Sequence, residues 1–270
     1  MNLLSAALLG IVQGLTEFLP VSSSAHLILG RAFFGWDAER SFGLAFDVAC
    51  HVGTLAAVLL FFRDDVMAMI AAIPRAFGRA PGPAGRRIQL IAVGTLPIVV
   101  FGAIYTDAVE AALRTPAVAA TALAVGAVLL LAIERMSART RGEESLTAGG
   151  ALAIGVAQAV ALVPGVSRSG ATIATGMALG LRREAAARFA FLMSVPAILA
   201  AAAKEGLELR HASLGADAVP LFAVGMITSA VVGYLTVKYF IRFLVSHRLD
   251  VFAWYRVALA AVTLVWLAAR

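Results

Sequence analysis

Apolar and polar positions in this chain alternate on the scale of whole helices, not of two or four residues. Six apolar runs, at roughly 44–62, 88–105, 116–134, 186–204, 218–240 and 250–269, are each long enough to cross a bilayer, which takes about 20 mostly apolar residues. Two further apolar stretches are interrupted. Residues 2–34 break near Pro20 at Ser22-Ser23-Ser24, and residues 148–181 break at Pro164-Gly165, followed by Ser167-Arg168-Ser169. Each half is too short to span alone. Each stretch therefore reads as a re-entrant helix–break–helix hairpin, which is tolerated at membrane depth only where it is buried in protein or lines a cavity. The expected fold class is all-α: a polytopic membrane protein with six transmembrane helices and two re-entrant hairpins.

The hairpins look like an internal repeat. A shift of 145 residues aligns Gly10 with Gly155, Gln13 with Gln158, Val21 with Val166, Ser22 with Ser167 and Ser24 with Ser169. Three spans follow each hairpin. The pattern predicts a single integral membrane domain over 1–270, with repeat 1 at about 1–135 and repeat 2 at about 148–270. An odd number of crossings between the repeats makes the second an inverted-topology copy of the first, an architecture that places broken helices around a midplane site.

Charge refines the topology. With six crossings, fourteen basic residues fall on one face (Arg63, Arg75, Arg79, Arg86, Arg87, Arg135, Arg139, Arg141, Arg182, Arg183, Arg188, Lys238, Arg242, Arg248). Six fall on the other (Arg31, Arg40, Arg114, Lys204, Arg210, Arg270), and Arg168 and Arg256 lie inside apolar runs. The richer face is expected to be cytoplasmic, which puts both termini outside. Composition agrees with a lipid setting: 61% of the 270 residues are hydrophobic and 14% charged, and mean hydropathy is +0.91. The net charge of +6 is spread over short loops, with no aromatic-studded basic stripe, so no nucleic-acid partner is expected. A lone cysteine, Cys50, excludes an intrachain disulfide framework and reads as a small core residue. The first 19 residues lack a basic lead and a small-residue cleavage site, so they are expected to belong to the mature protein.

The polar residues at the breaks carry the candidate chemistry. Gln13 and Glu17 share a helix face, and Ser22 and Ser23 stand four and three positions before His26. Ser22, Ser23 and Ser24 sit where a new half-helix begins, so they can cap it, and its free N–H groups and dipole suit an anion. In the second break, Ser167 can cap and Ser169 and Thr172 add hydroxyls. Arg168, costly in lipid, offers a fork of donors for phosphate. Singly, each has a plain structural reading: a cap, an interhelical polar contact, a packing histidine. If the two breaks converge, these groups together make a phosphate site with acid–base and nucleophilic groups attached. Asp47 and His51, four apart, read first as a structural hydrogen bond and second as support for the site. His211 and His247 read as solvated loop residues. Structural zinc has no ligand spacing here. Glu17 and Gln13 could hold one hard cation (Mg²⁺ or Ca²⁺) beside phosphate, which the sequence permits but does not require. No organic cofactor is expected.

The runs GIVQGLTEFLPVSSSAH (Gly10 to His26) and PGVSRSGATI (Pro164 to Ile173) resemble the bacitracin-resistance type of undecaprenyl-diphosphatase. FDVACHVGTLAAV (Phe46 to Val58) and FAFLMSVPAI (Phe189 to Ile198) extend the resemblance over essentially the whole chain. It implies an enzyme of the bacterial cytoplasmic (inner) membrane that removes the terminal phosphate of undecaprenyl diphosphate, with its site facing the periplasm, and so recycles the lipid carrier of wall synthesis. Its partners would be that substrate and membrane lipid, and a homodimer is compatible with it. The resemblance implies catalytic roles for Glu17, Ser23, His26 and Arg168, and a phosphate pocket lined by Ser22, Ser167, Ser169 and Thr172. Relatives often carry Glu where this chain has Gln13, which would leave a metal one fewer negative ligand, and Thr where it has Ser24. Either Ser23 or His26 attacks, or one of them activates water, with a serine assisted by His26 the favoured version. Glu17 would orient His26, bind a cation, or both. A lipid-phosphate flippase is the rival class, since inverted repeats with broken helices also serve transport.

Overall fold

The computed structural model describes residues 2–36, 40–208 and 218–270. Arg210 and His211, and the side chain of Arg40, lie outside the described residues. The fold is helical, with a single isolated bridge between Arg141 and Leu181 among the described residues. In chain order the helices are α1 (Leu3–Thr16), α2 (Ser23–Phe34), α3 (Arg40–Phe61), α4 (Arg63–Ala72), α5 (Gly82–Leu113), α6 (Pro116–Met136), α7 (Ala148–Val160), α8 (Arg168–Ala178), α9 (Arg183–Glu208), α10 (Ala218–Ser246) and α11 (Asp250–Ala268). Five of them, α5, α6, α9, α10 and α11, are long and apolar enough to cross a membrane. The sixth expected span is α3, which turns through 82° into α4. The loop expected after residue 62 is therefore partly helix. Arg63 and Asp64 face water on α4, while Met67 and Ile70 are exposed apolar residues on the same short helix.

Helices also outrun their apolar runs. The sequence places a span at 88–105, yet α5 has 32 residues, about 48 Å at 1.5 Å per residue, which exceeds a hydrocarbon core of about 30 Å. Large apolar side chains such as Val100, Ile104, Val128, Leu129, Ile227, Val231 and Val262 point outward along the spans, a surface that only lipid solvates cheaply. Among the spans α9 is the central one. Of its apolar window 61% is buried, against 22–28% for the other four. Phe189, Phe191, Leu192 and Met193 of α9 join Phe18, Ile173, Met177 and Phe240 in the largest buried cluster. Cys50 is fully buried beside Ala6, Leu9, Leu27 and Phe46, as a core residue should be.

The two short helix pairs occupy matching places. α1 packs on α2 and on the distant span α10, while α7 packs on α8 and on the distant span α5. Both long contacts run through glycines. A Cβ on Gly10 would meet the Gly225 carbonyl at 2.6 Å, and one on Gly155 would collide with the Gly94 backbone, its Cα at 2.9 Å. These are the two glycines that the 145-residue shift aligns.

Ion pairs tie one end of the bundle together. Glu134, fully buried near the end of α6, accepts from Arg139 (2.7 Å), from Arg183 and from the Leu249 amide (3.3 Å), with Arg248 Nε at 3.6 Å. Asp65, Arg87, Arg188 and Glu143 form a second such group. All the arginines here belong to the basic-rich face of the sequence. The arginines that face it are 18–55% exposed and stay partly solvated, so Glu134→Ala, which removes the buried acceptor of their bonds, is expected to lose about 1–3 kcal/mol of unfolding free energy. Thermal unfolding in detergent reads this, and an unchanged midpoint would mean the cluster contributes nothing.

Candidate active site

The two breaks converge, and their local geometry explains how. Ser22 and Ser167 are the N-caps of α2 and α8, and both hold the left-handed backbone region, at φ 72°, ψ 95° and φ 72°, ψ 108°. Serine pays about 1–3 kcal/mol to sit there, a strain kept up only where the surroundings over-determine it. Each Oγ accepts from the amide three residues on, Ala25 at 3.4 Å and Gly170 at 3.0 Å, and each contacts the serine two residues on, at 3.2 and 3.3 Å. Capping leaves the amides of Ser23, Ser24, Arg168 and Ser169 without an intrahelical partner, at two positive helix ends.

Three sets of bonds hold the tips against each other. Ser169 Oγ donates to the Leu19 carbonyl (2.8 Å), and the Gly165 amide reaches Ser24 Oγ (3.5 Å). Arg256 of α11, 1% exposed, donates to the carbonyls of Pro20 in the first break and of Gly165 and Val166 in the second, and also to Ala122 and Leu123 of α6. Among the described residues, carbonyl dipoles and no carboxylate balance this charge, and Gly126 leaves it room: a Cβ there would fall on the guanidinium. Arg256 is thus a clamp on both breaks. The sequence marks it as unusual without indicating its partners.

A cavity of about 120 Å³ opens between the tips, lined by Glu17, Ser22, Ser23, Ser24, His51, Gln158, Ser167, Arg168 and Ser169 among others. Buried Glu17 organises it. One carboxylate oxygen pairs with Arg168, and the other accepts from Ser23 Oγ (2.7 Å) and Gln13 Nε2 (2.8 Å). The second oxygen also lies 3.4 Å from His51 Nε2. His51 Nδ1 contacts the Asp47 carbonyl at 2.8 Å and must carry its proton, because a carbonyl only accepts. Nε2 then faces Glu17 in a contact that is attractive only when a proton lies between them.

The imidazole at Glu17 is therefore that of His51 and not, as expected, that of His26. Among the described residues no hydrogen bond joins His26 to Glu17 or Ser23. Its Nδ1 is held by the Ser22 carbonyl (2.7 Å), and its Nε2 receives the Tyr255 hydroxyl (2.7 Å). Asp47 does bond the His51 ring, as the i, i+4 spacing suggests, but through its main-chain carbonyl and not its carboxylate. Its carboxylate bridges Arg31 (2.5 Å) and Arg114. Thr172 does not reach the cavity lining, because its hydroxyl donates back to the Arg168 carbonyl (2.8 Å) within α8. His247, past the end of α10, stacks on Phe243 at 4.5 Å.

Ser24, His51 and Arg168 also line a second cavity of about 600 Å³, which runs between α5 and α9 past Ile98, Val99, Ala197 and Ile198 to Asp47, Arg114 and Lys204. The small polar pocket thus continues into a larger and mostly apolar one.

For a divalent cation, the described residues gather no group of three or more His, Cys, Asp or Glu. Oxygen donors are present all the same. Gln13 Oε1 is buried without a partner beside Glu17, and the same amide turned end for end would present oxygen to the carboxylate. One carboxylate, one amide oxygen and substrate phosphate fit the habit of Mg²⁺.

Comparison with known proteins gives one answer. A family model described as bacitracin resistance protein BacA matches residues 6–262. The undecaprenyl-diphosphatase of Rubrobacter xylanophilus is 49% identical over 265 residues, covering 97% of each chain. That of Alcanivorax borkumensis is 43% identical over 280 residues, covering 99% of this chain and all of the relative, and that of Teredinibacter turnerae is 42% identical over 265 residues. With so close a match from end to end, the chain belongs to the bacitracin resistance protein BacA family.

Proposed function

We propose that this chain is an undecaprenyl-diphosphatase, which cleaves the terminal phosphate from undecaprenyl diphosphate, returns the lipid carrier to wall synthesis and so confers resistance to bacitracin. The observation that carries the chemistry is the Ser23–Glu17–Arg168 constellation between two helix N-termini. Arg168 and the free amides of α2 and α8 hold the diphosphate and stabilise charge on the phosphoryl group in flight. Ser23 Oγ attacks the terminal phosphorus as Glu17 takes its proton. The bond to the bridging oxygen breaks, and undecaprenyl phosphate leaves. Water then hydrolyses the phosphoserine, releasing inorganic phosphate and freeing Ser23. His51 orients Glu17, and His26, tied to the Ser22 carbonyl, braces the start of α2. Gln13 and Glu17 would hold a divalent cation, whose part is to neutralise charge on the diphosphate.

We further read the fold as one domain of two inverted repeats, with α1–α2 and α7–α8 as its re-entrant hairpins. The shared backbone of Ser22 and Ser167 and the reciprocal packing of α1 on α10 and α7 on α5 support this. Within the repeat, Ser23 falls opposite Arg168 and Glu17 opposite Leu162, so one half supplies nucleophile and base and the other the phosphate grip. The larger cavity reaches Arg114 and Lys204, on the face poorer in basic residues, which supports a site open to the periplasm with both termini outside. Its apolar walls let a prenyl tail stay in or near lipid while the head reaches Arg168.

The test is phosphate release from undecaprenyl diphosphate by the purified protein in detergent, with and without chelator, beside leaflet movement of labelled lipid in vesicles. Release is expected. Movement of label without release would favour the flippase.

A further inference from the structure

One polar side chain in the catalytic cavity has no partner. Gln158 of α7 is fully buried and lines the pocket with Ser167, Arg168 and Ser169. Among the described residues, neither its Nε2 nor its Oε1 meets a hydrogen-bond partner. Folding a chain around an unpaired carboxamide is unfavourable, so such a group asks for an explanation. Its repeat counterpart sharpens the question. Gln13 spends its amide on Glu17, one helical turn further along α1. The position one turn beyond Gln158 is Leu162, so α7 offers its glutamine no carboxylate. The remaining polar groups around it are donors or are already engaged: the Arg168 guanidinium, the capping serines, and a Glu17 carboxylate that accepts from three side chains. A ligand suited to this wall is rich in acceptors and anionic.

We propose that Gln158 is a substrate-binding residue whose carboxamide Nε2 donates to a non-bridging oxygen of the prenyl diphosphate head group gripped by Arg168. This rests on the diphosphatase reading. Gln158 exchanges no proton with substrate and breaks no bond. It completes the phosphate shell from α7, opposite the Ser23 side, and its unpaired state in the free protein is the cost of leaving a donor ready for substrate.

The proposal gives two effects of opposite sign in one variant. Gln158→Leu, which removes an unpaired polar group from a buried site, is expected to raise the thermal unfolding midpoint of the free protein. The same change should raise KM for undecaprenyl diphosphate about tenfold, the scale of one lost hydrogen bond to a charged group, with kcat within a few-fold of wild type. Added inorganic phosphate, as product inhibitor, should inhibit the variant more weakly. Should the branched side chain not fold, Gln158→Met, unbranched and of similar length, gives the same readouts. An unchanged KM overturns the proposal whatever the midpoint does. A lowered midpoint with unchanged KM would identify instead an amide bonded to structural water. Failure of the wild-type protein to release phosphate would overturn the diphosphatase reading itself, a result distinct from an active enzyme indifferent to residue 158.

Discussion

Replacing Arg168 by alanine is expected to cut phosphate release by about a thousandfold while the membrane fold persists. Arg168 is the first residue of α8; its side chain is 22% exposed and paired with buried Glu17, so its removal lowers stability somewhat without unmaking the break. The break it stands on is held by other groups: the Ser167 cap, the Ser169 bond to Leu19 and the Arg256 clamp. Glu17 would keep Ser23 and Gln13 as donors after the arginine is gone. Lost are the charge and the planar fork at the transferred phosphoryl group. Arg168→Lys, a point charge on a flexible stem, should recover only part of the rate, because it cannot serve Glu17 and phosphate with parallel N–H groups. Phosphate release, with circular dichroism and thermal unfolding as controls on folding, reads both variants. Near-normal turnover by Arg168→Ala would remove the arginine from the mechanism.

Glu17→Gln should be nearly as damaging, with about a thousandfold loss in kcat and a smaller change in KM. The two side chains have the same shape, so the loss is chemical. The carboxylate accepts on both oxygens, from Arg168 on one and from Ser23 and Gln13 on the other. A carboxamide must turn an NH₂ group towards one of these donor sets, which breaks that bond and strands the donor. It also cannot take the Ser23 proton as Oγ attacks. Glu17→Asp keeps the charge but draws it back by one methylene, and a displacement of about 1 Å at such a site costs about a hundredfold. Steady-state kcat and KM separate these effects. A Glu17→Gln enzyme within tenfold of wild type would mean that another group is the base.

The breaks were legible in the sequence because proline and clustered serines interrupt otherwise continuous apolar runs, and Arg168 because a charge in an apolar stretch is costly. Other features depend on how the helices pack. His51 stands in an unbroken span, 34 positions from Glu17, and only the packing of α3 against α1 brings them together. The carboxylate of Asp47, its neighbour by helical spacing, goes to Arg31 and Arg114, and only the Asp47 carbonyl meets the imidazole. Arg256 was conspicuous as a charge, but its partners are backbone carbonyls, which no side-chain pattern encodes. Thr172 looked like a pocket hydroxyl, yet within a helix a threonine readily bonds the carbonyl one turn back. α4 escaped notice because ten residues opening on Arg63-Asp64-Asp65 do not stand out as a helix from periodicity alone.

The mechanism stands most directly on one covalent bond. Purified protein mixed with undecaprenyl diphosphate labelled in its terminal phosphate, quenched within a turnover and digested, should yield phosphate on the peptide containing Ser23, mapped to that hydroxyl. Label on His26 would contradict the serine attack, as would rapid turnover in which no peptide ever carries label.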